Sequence, residues 1–146
     1  MISALFAAIP LLILPVGAYG LLAMTIGGGL MAVHAQAHLT APLIILPTQG
    51  GGTWPLSPAD ILLAVGLVVA FLDLIKGAGD RRTAIANHAL SIALFVACLA
   101  AMLLTPAFAT STFFLLTLMV LLDLVAGFIV AIAPPQDTRE GRARGR

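Results

Sequence analysis

Residues 111–133 read STFFLLTLMVLLDLVAGFIVAIA, and this stretch decides the fold of the chain. An α-helix rises ~1.5 Å per residue, so about 20 apolar residues cross the ~30 Å hydrocarbon core of a bilayer. The stretch is long enough to do so, and its one ionisable side chain, Asp123, lies near its middle. It therefore predicts a membrane-spanning helix with a single acid close to the bilayer centre.

The composition of the whole chain supports the same environment. Of its 146 residues, 61% are hydrophobic and 9% are charged, whereas soluble domains carry ~25% charged residues. A chain of this size has too little interior to bury so many apolar side chains away from water. We expect one transmembrane domain, residues 1–135, followed by a basic, disordered tail, residues 136–146. The net charge of +1 provides no basic surface for nucleic acid.

Four apolar stretches predict an all-α, polytopic fold with four transmembrane helices. The first crossing lies within residues 2–25, where Pro10 and Pro15 are expected to kink the helix. The other three cover residues 58–76, 83–104 and 111–133. Thr83 is expected to cap the third crossing.

Local helix signals place the start of the second crossing. Ser57 is a good N-cap, Pro58 fits the first helical position, and Asp60 favours the positive end of the helix dipole.

Residues 30–47, LMAVHAQAHLTAPLIILP, are too polar in their first half to cross. They predict a short interfacial helix or re-entrant segment followed by an apolar loop. The turn-rich residues 47–60 contain Trp54, which suits a bilayer interface.

The positions of the cations predict the orientation. All seven fall in two places that are separated by two crossings, and these places are therefore expected on the same side of the membrane. They are Lys76, Arg81 and Arg82 in one turn, and Arg139, Arg142, Arg144 and Arg146 in the tail. The positive-inside rule makes that side cytoplasmic.

The intramembrane acids are the polar groups that most need a partner. An ionised Asp123 would cost at least ~2.5–3.5 kcal/mol at mid-bilayer, so it is either protonated or hydrogen-bonded inside the bundle. A functional interpretation is proton or cation movement, and a structural one is a hydrogen bond that holds two helices together. Asp73 is expected at the depth of Asn87 and His88 on the next helix, and Ser91 is expected nearer to Asp123. These five residues form a candidate polar or proton track.

Two six-residue segments resemble each other. Residues 72–77, LDLIKG, are similar to residues 122–127, LDLVAG, which lie fifty positions later on a helix of the same predicted direction. A parallel internal repeat, as in some transporters, is one interpretation. Chance similarity between common residue types is the other.

Other chemical motifs are weak. His34 and His38 are four residues apart, a spacing that suits a metal ion, but the sequence supplies no nearby third ligand and His88 is predicted on the opposite side. Haem held between helices would need two histidines that face each other at similar depth, and the predicted position of His88 on the opposite side argues against it. Cys98, the lone cysteine, is expected to pack as a small hydrophobe. Since no nucleophile or phosphate-loop motif is present, we expect neither enzymatic activity nor a resident cofactor.

A resemblance to a known group adds one expectation. The segments HALSIALFVACL, residues 88–99, and ATSTFFLLTLMVLLDLVAGF, residues 109–128, resemble small uncharacterised four-helix inner-membrane proteins of proteobacteria. The resemblance implies a bacterial inner membrane and assigns no functional residue.

Three functions are compatible with the sequence. The first is a non-enzymatic accessory or assembly subunit that binds other membrane subunits or itself within the lipid bilayer. The second is a small proton or cation pathway that uses Asp123 and Asp73. The third is a haem- or metal-binding protein that uses His34 and His38.

Overall fold

The computed structural model describes residues 10–25, 35–77 and 81–132, and most of them are helical. The helices are α1 (Ile13–Thr25), α2 (Ala35–Leu39), α3 (Pro58–Gly77), α4 (Arg81–Leu104) and α5 (Ser111–Ile132), and the strands are β1 (Ile44–Pro47) and β2 (Thr53–Leu56). Outside the described residues lie the glycines at 27–29, His34, the prolines at 134–135, and the whole tail with its four arginines.

Three of the described helices are long and apolar enough to cross a membrane. Their candidate spans are Pro58–Ile75, Asn87–Leu104 and Ser111–Ile129, which confirms three of the predicted apolar helical stretches and suits a membrane protein. The start of α3 is built as predicted. Ser57 Oγ accepts a 3.2 Å hydrogen bond from the backbone N–H of Asp60, whose carboxylate accepts bonds from the backbone N–H and the hydroxyl of Ser57.

The first apolar helix differs from the prediction. It begins only at Ile13 and has 13 residues, fewer than a full span needs. Pro10 precedes the helix and Pro15 lies in its first turn, where a missing backbone N–H leaves no helical hydrogen bond unmade. Neither proline therefore kinks the described helix, and the predicted first crossing is not confirmed. Residues 2–9 of that stretch lie outside the described part.

The N-terminus of α4 and the link to α5 also refine the prediction. α4 begins at Arg81, so Thr83 lies inside the helix and is not its N-cap. The helix ends at Leu104, next to the predicted break at Thr105 and Pro106. The connection is a 3₁₀ turn, Pro106–Phe108, that leads into α5.

Helix α5 lies at the centre of the described bundle, because it packs against both α3 and α4, which share few contacts with each other. Close approach to α3 occurs at Gly66, where an added Cβ would lie 3.0 Å from Leu116 Cδ2. Contacts between α3 and α5 thus join residues about fifty positions apart, and the two helices run in the same direction. α4 runs opposite to them, since its residues 88 and 91 meet residues 127 and 123 of α5.

Residues 44–56 form a β-hairpin, where the sequence predicted a loop. Ile44 pairs with Leu56 and Leu46 with Trp54 in an antiparallel register. Gly51, in the connecting turn, has a φ of +79°, a conformation that glycine adopts without strain. Among the described residues this hairpin is the only departure from an all-helical fold. It follows α2, a five-residue helix in the region where an interfacial helix was expected.

Candidate functional site

A hydrogen bond between two buried side chains joins α4 to α5 near the middle of the bundle. Ser91 Oγ donates to Asp123 Oδ2 over 2.8 Å. Ser91 is 1% exposed and Asp123 is 8% exposed, so little of either polar group reaches the surface of the chain. The sequence predicted that Ser91 would approach this acid, and the structure brings the two together.

Asp123 also borders an open groove of about 430 Å³ between α3 and α5. All its lining residues except Asp123 are apolar. The lining consists of Leu67, Val68, Ala70, Phe71 and Leu74 from α3, and Met119, Leu122 and Asp123 from α5. In a bilayer, this groove would open toward lipid or toward another transmembrane helix, with one carboxyl group at its edge.

His88 also lies at the contact between α4 and α5, about one helical turn before Ser91 on α4. A Cβ built on Gly127 would lie 2.9 Å from His88 Nδ1, so the imidazole fits only because residue 127 has no side chain. The ring of Phe128 lies beside it, with the two ring centroids 6.3 Å apart. In the described part of the chain, neither His88 Nδ1 nor the neighbouring Asn87 Oδ1 has a hydrogen-bond partner, although both atoms are buried.

Asp73 serves a different contact. Its Oδ2 accepts a 3.3 Å hydrogen bond from the backbone N–H of Leu12, the residue before α1. The first N–H groups of a helix have no partner within the helix, and a carboxylate there also interacts favourably with the helix dipole. Asp73, which is 1% exposed, therefore acts as a tertiary cap that fixes the start of α1 against α3.

The predicted polar track is thus assembled in part. Ser91 meets Asp123, and His88 lies about one helical turn from them along the same interface. The hydrogen bond described for Asp73 comes from Leu12, and its predicted pairing with Asn87 or His88 stays a prediction. Its premise was that α3 and α4 are close neighbours, whereas α5 packs against both.

The histidine pair and the cysteine add no second centre. His38 is exposed on α2, and His34 lies outside the described residues, so their joint binding of a metal or haem stays a prediction. Across residues 10–25, 35–77 and 81–132, no group of three or more His, Cys, Asp or Glu side chains is arranged to hold a metal ion. Cys98 is buried and free, as a small packing residue would be.

Sequence reasoning missed a polar cluster at the end of the bundle where α5 begins. The hydroxyl of Tyr19 donates to the carbonyl oxygen of Ala107 over 2.8 Å and hydrogen-bonds to Thr110 Oγ1. Thr110 Oγ1 in turn accepts from the backbone N–H of Phe113 and caps α5. The available signal was the single tyrosine of the chain, since a buried tyrosine hydroxyl usually finds a partner.

A second missed contact supports the same helix start. Gln36 Oε1, on α2, accepts a 2.9 Å hydrogen bond from the backbone N–H of Ser111. The described α2 is therefore attached to the beginning of α5, and it leads into the hairpin at that end of the bundle.

These features define the class of the protein, which is a helical membrane protein with a buried acid–serine contact in its helix bundle. Comparison with protein-family models, with curated proteins and with solved structures gives no match to this chain.

Proposed function

We propose that the chain is a small integral membrane protein of a bacterial inner membrane, with a non-enzymatic role as an accessory or assembly subunit. It would act within a larger membrane complex or as a homo-oligomer. The observation that carries this proposal is that each buried acid accepts a hydrogen bond from another segment of the fold, Asp123 from Ser91 and Asp73 from Leu12. Such bonds fix neighbouring helices, which is the usual role of polar side chains in membrane bundles.

The groove between α3 and α5 supports a role in assembly. Its apolar lining matches the surface of another transmembrane helix, and helix association in membranes depends on close packing of this kind. We expect purification in mild detergent to yield an oligomer or a complex with another membrane protein. Ala70→Phe, which fills the groove, is expected to weaken that association. Ala97→Phe, on the exposed face of α4, is the matched control. A strictly monomeric protein without partners would refute the proposal.

The proposed topology has four crossings and a cytoplasmic C-terminus. Support for the fourth crossing comes from α1, which runs opposite to α3 because Leu12 meets Asp73 and Pro15 lies near Gly66. Protease sites placed in the tail and in the turn before Arg81 are expected to share one side of sealed vesicles. Cleavage from opposite sides would contradict this topology.

A proton or cation pathway is the second candidate, and the position of Asp123 favours it. This acid lies at the edge of an open groove, and one helical turn away are two buried polar atoms without partners among the described residues, Asn87 Oδ1 and His88 Nδ1. Protein in liposomes would then conduct protons or cations, and Asp123→Asn would abolish the flux. Asp60→Asn, at the exposed start of α3, is the control. Flux that is absent in the unmodified protein, or unchanged by Asp123→Asn, would exclude this function.

A further inference from the structure

The β-hairpin presents an apolar face that no other described element covers. Side chains alternate between the two faces of a strand, so the paired residues Ile44 with Leu56 and Leu46 with Trp54 share one face. Trp54 is 57% exposed, Ile44 52% and Leu46 41%. The opposite face carries Ile45, Pro47, Thr53 and Pro55. It is also uncovered, since Ile45 is 60% exposed, but it has one large apolar side chain where the first face has four.

The sequence around the hairpin is uncharged. No Asp, Glu, Lys, Arg or His occurs between Thr40 and Ala59. Natural sheets protect exposed edges from pairing with other strands by short length, proline or charged side chains, and these two four-residue strands contain Pro47 and Pro55 but no charge. A two-stranded ribbon is also only marginally stable alone in water. The absence of charge together with the exposed large apolar side chains indicates that the native surroundings of this hairpin include an apolar phase.

The connections of the hairpin place it at one end of the membrane-spanning helices. β2 ends at Leu56, and the candidate span of α3 begins two residues later at Pro58. On its other side, α2 is held to the start of α5 through Gln36 and Ser111. The hairpin therefore lies where two spans begin, next to the boundary between hydrocarbon and water.

The backbone limits how deep the hairpin can lie. Among the described residues, each strand has one paired edge and one edge without a strand partner. Unpaired backbone groups are too costly in the hydrocarbon core. At the interface, these edges reach water and headgroups while one face contacts acyl chains. Tryptophan is enriched at this level of the bilayer because its ring is apolar and its N–H is polar.

We propose that the face formed by Ile44, Leu46, Trp54 and Leu56 inserts into the lipid surface and anchors the end of the bundle at which α3 and α5 begin. Because the hairpin is uncharged, its insertion depends on apolar contact and not on anionic headgroups. This inference is independent of the proposed role in assembly.

The single tryptophan of the chain makes the proposal directly testable by fluorescence. The protein is reconstituted into phosphatidylcholine vesicles whose acyl chains are brominated either near the glycerol or near the terminal methyl group. We expect Trp54 to be quenched several-fold more by the shallow bromines and only weakly by acrylamide in the water. A depth reference is Val65→Trp in a Trp54→Phe background, since Val65 is exposed near the middle of α3 and should respond most to the deep bromines.

Matched variants on the two faces separate insertion from simple proximity. Ile44→Glu changes the proposed lipid face at a residue that is not paired with Trp54, and it is expected to shift Trp54 emission to the red and reduce lipid quenching several-fold. Ile45→Glu, on the opposite face, is expected to leave both nearly unchanged. Adding anionic lipid should alter neither result.

Three outcomes would overturn the proposal. Strong quenching by acrylamide without lipid quenching would place the face in water. Protection from both kinds of quencher would indicate that a protein surface, such as a second copy, covers it. Equal responses of Ile44→Glu and Ile45→Glu would show that no particular face inserts.

Discussion

The hydrogen bond from Ser91 to Asp123 provides the sharpest test of the structural role assigned to the buried acid. Side-chain hydrogen bonds in membrane proteins contribute ~0.6 kcal/mol on average and at most ~1.7 kcal/mol in double-mutant cycles. This bond is 2.8 Å long and joins groups that are 1% and 8% exposed. We therefore expect Ser91→Ala to lower the free energy of unfolding by about 1 kcal/mol, roughly a five-fold change in the folding equilibrium constant.

The same substitution should have almost no effect once the acid is gone. Asp123→Leu alone is expected to be neutral or stabilising, because it removes an acid that is costly in lipid. In that background Ser91→Ala has no bond to remove, and the difference between the two backgrounds isolates the interaction. The measurement is reversible unfolding by sodium dodecyl sulfate in mixed micelles, followed by circular dichroism.

A matched control uses a hydroxyl that bonds within its own helix. Thr117 Oγ1 donates to the carbonyl oxygen of Phe113 over 2.9 Å and does not contact Asp123. Thr117→Val should therefore have the same effect with and without the acid. If Ser91→Ala costs as much in the Asp123→Leu background as in the native one, the bond does not hold α4 to α5 and the reasoning fails.

Two further predictions use the same unfolding measurement. Gly127→Ala forces a Cβ to within 2.9 Å of His88 Nδ1 and should destabilise the protein by about 1–3 kcal/mol. Gly17→Ala is the control, because no atom lies within 4 Å of the new Cβ. It should stabilise the protein by ~0.5–1 kcal/mol. Equal effects of the two would contradict the packing described at residue 127. Tyr19→Phe keeps the ring but removes the hydroxyl bonded to Ala107, and should cost about 0.5–1.5 kcal/mol. An unchanged stability would show that this contact adds nothing.

The helices were predictable from the sequence because their causes are local. A run of about 20 apolar residues specifies a span without reference to other parts of the chain. The same holds for the start of α3, where Ser57 and Asp60 satisfy each other within a single turn. Thr83 shows the limit of such signals, since α4 begins two residues earlier, at Arg81.

The hairpin was missed although its signals were present. Residues 44–47 and 53–56 are short and each contains a proline, features that favour a loop when each run is judged separately. Taken together, the two apolar runs flank a turn with three consecutive glycines, a pattern that indicates a hairpin. Gly51 supplies the positive φ that this turn requires.

The partners of the acids depend on lateral helix order, which local patterns in the sequence do not reveal. Asp73 was expected to meet α4, the next helix in the chain. In the structure α5 packs against α3, and Asp73 accepts a hydrogen bond from Leu12, sixty-one positions earlier. Hydrophobic patterning provides no help here, because helices surrounded by lipid are apolar on all sides. Only the Ser91–Asp123 contact, between helices that are adjacent in the chain, followed from the predicted topology.

The similarity between residues 72–77 and 122–127 bears on the choice between a structural role and a pathway. Since α3 and α5 are parallel and their contacts join residues about fifty apart, Asp73 and Asp123 lie at about the same level of the bundle. Their hydrogen bonds nevertheless run to different elements, one to the entry of α1 and the other to α4. The groove between the two helices is apolar apart from Asp123, so a proton moving between the acids along it would have to cross an apolar region. Each acid, in contrast, joins one further helix to the α3–α5 pair through a hydrogen bond. These contacts favour a structural role for the two acids over a pathway that links them along this groove.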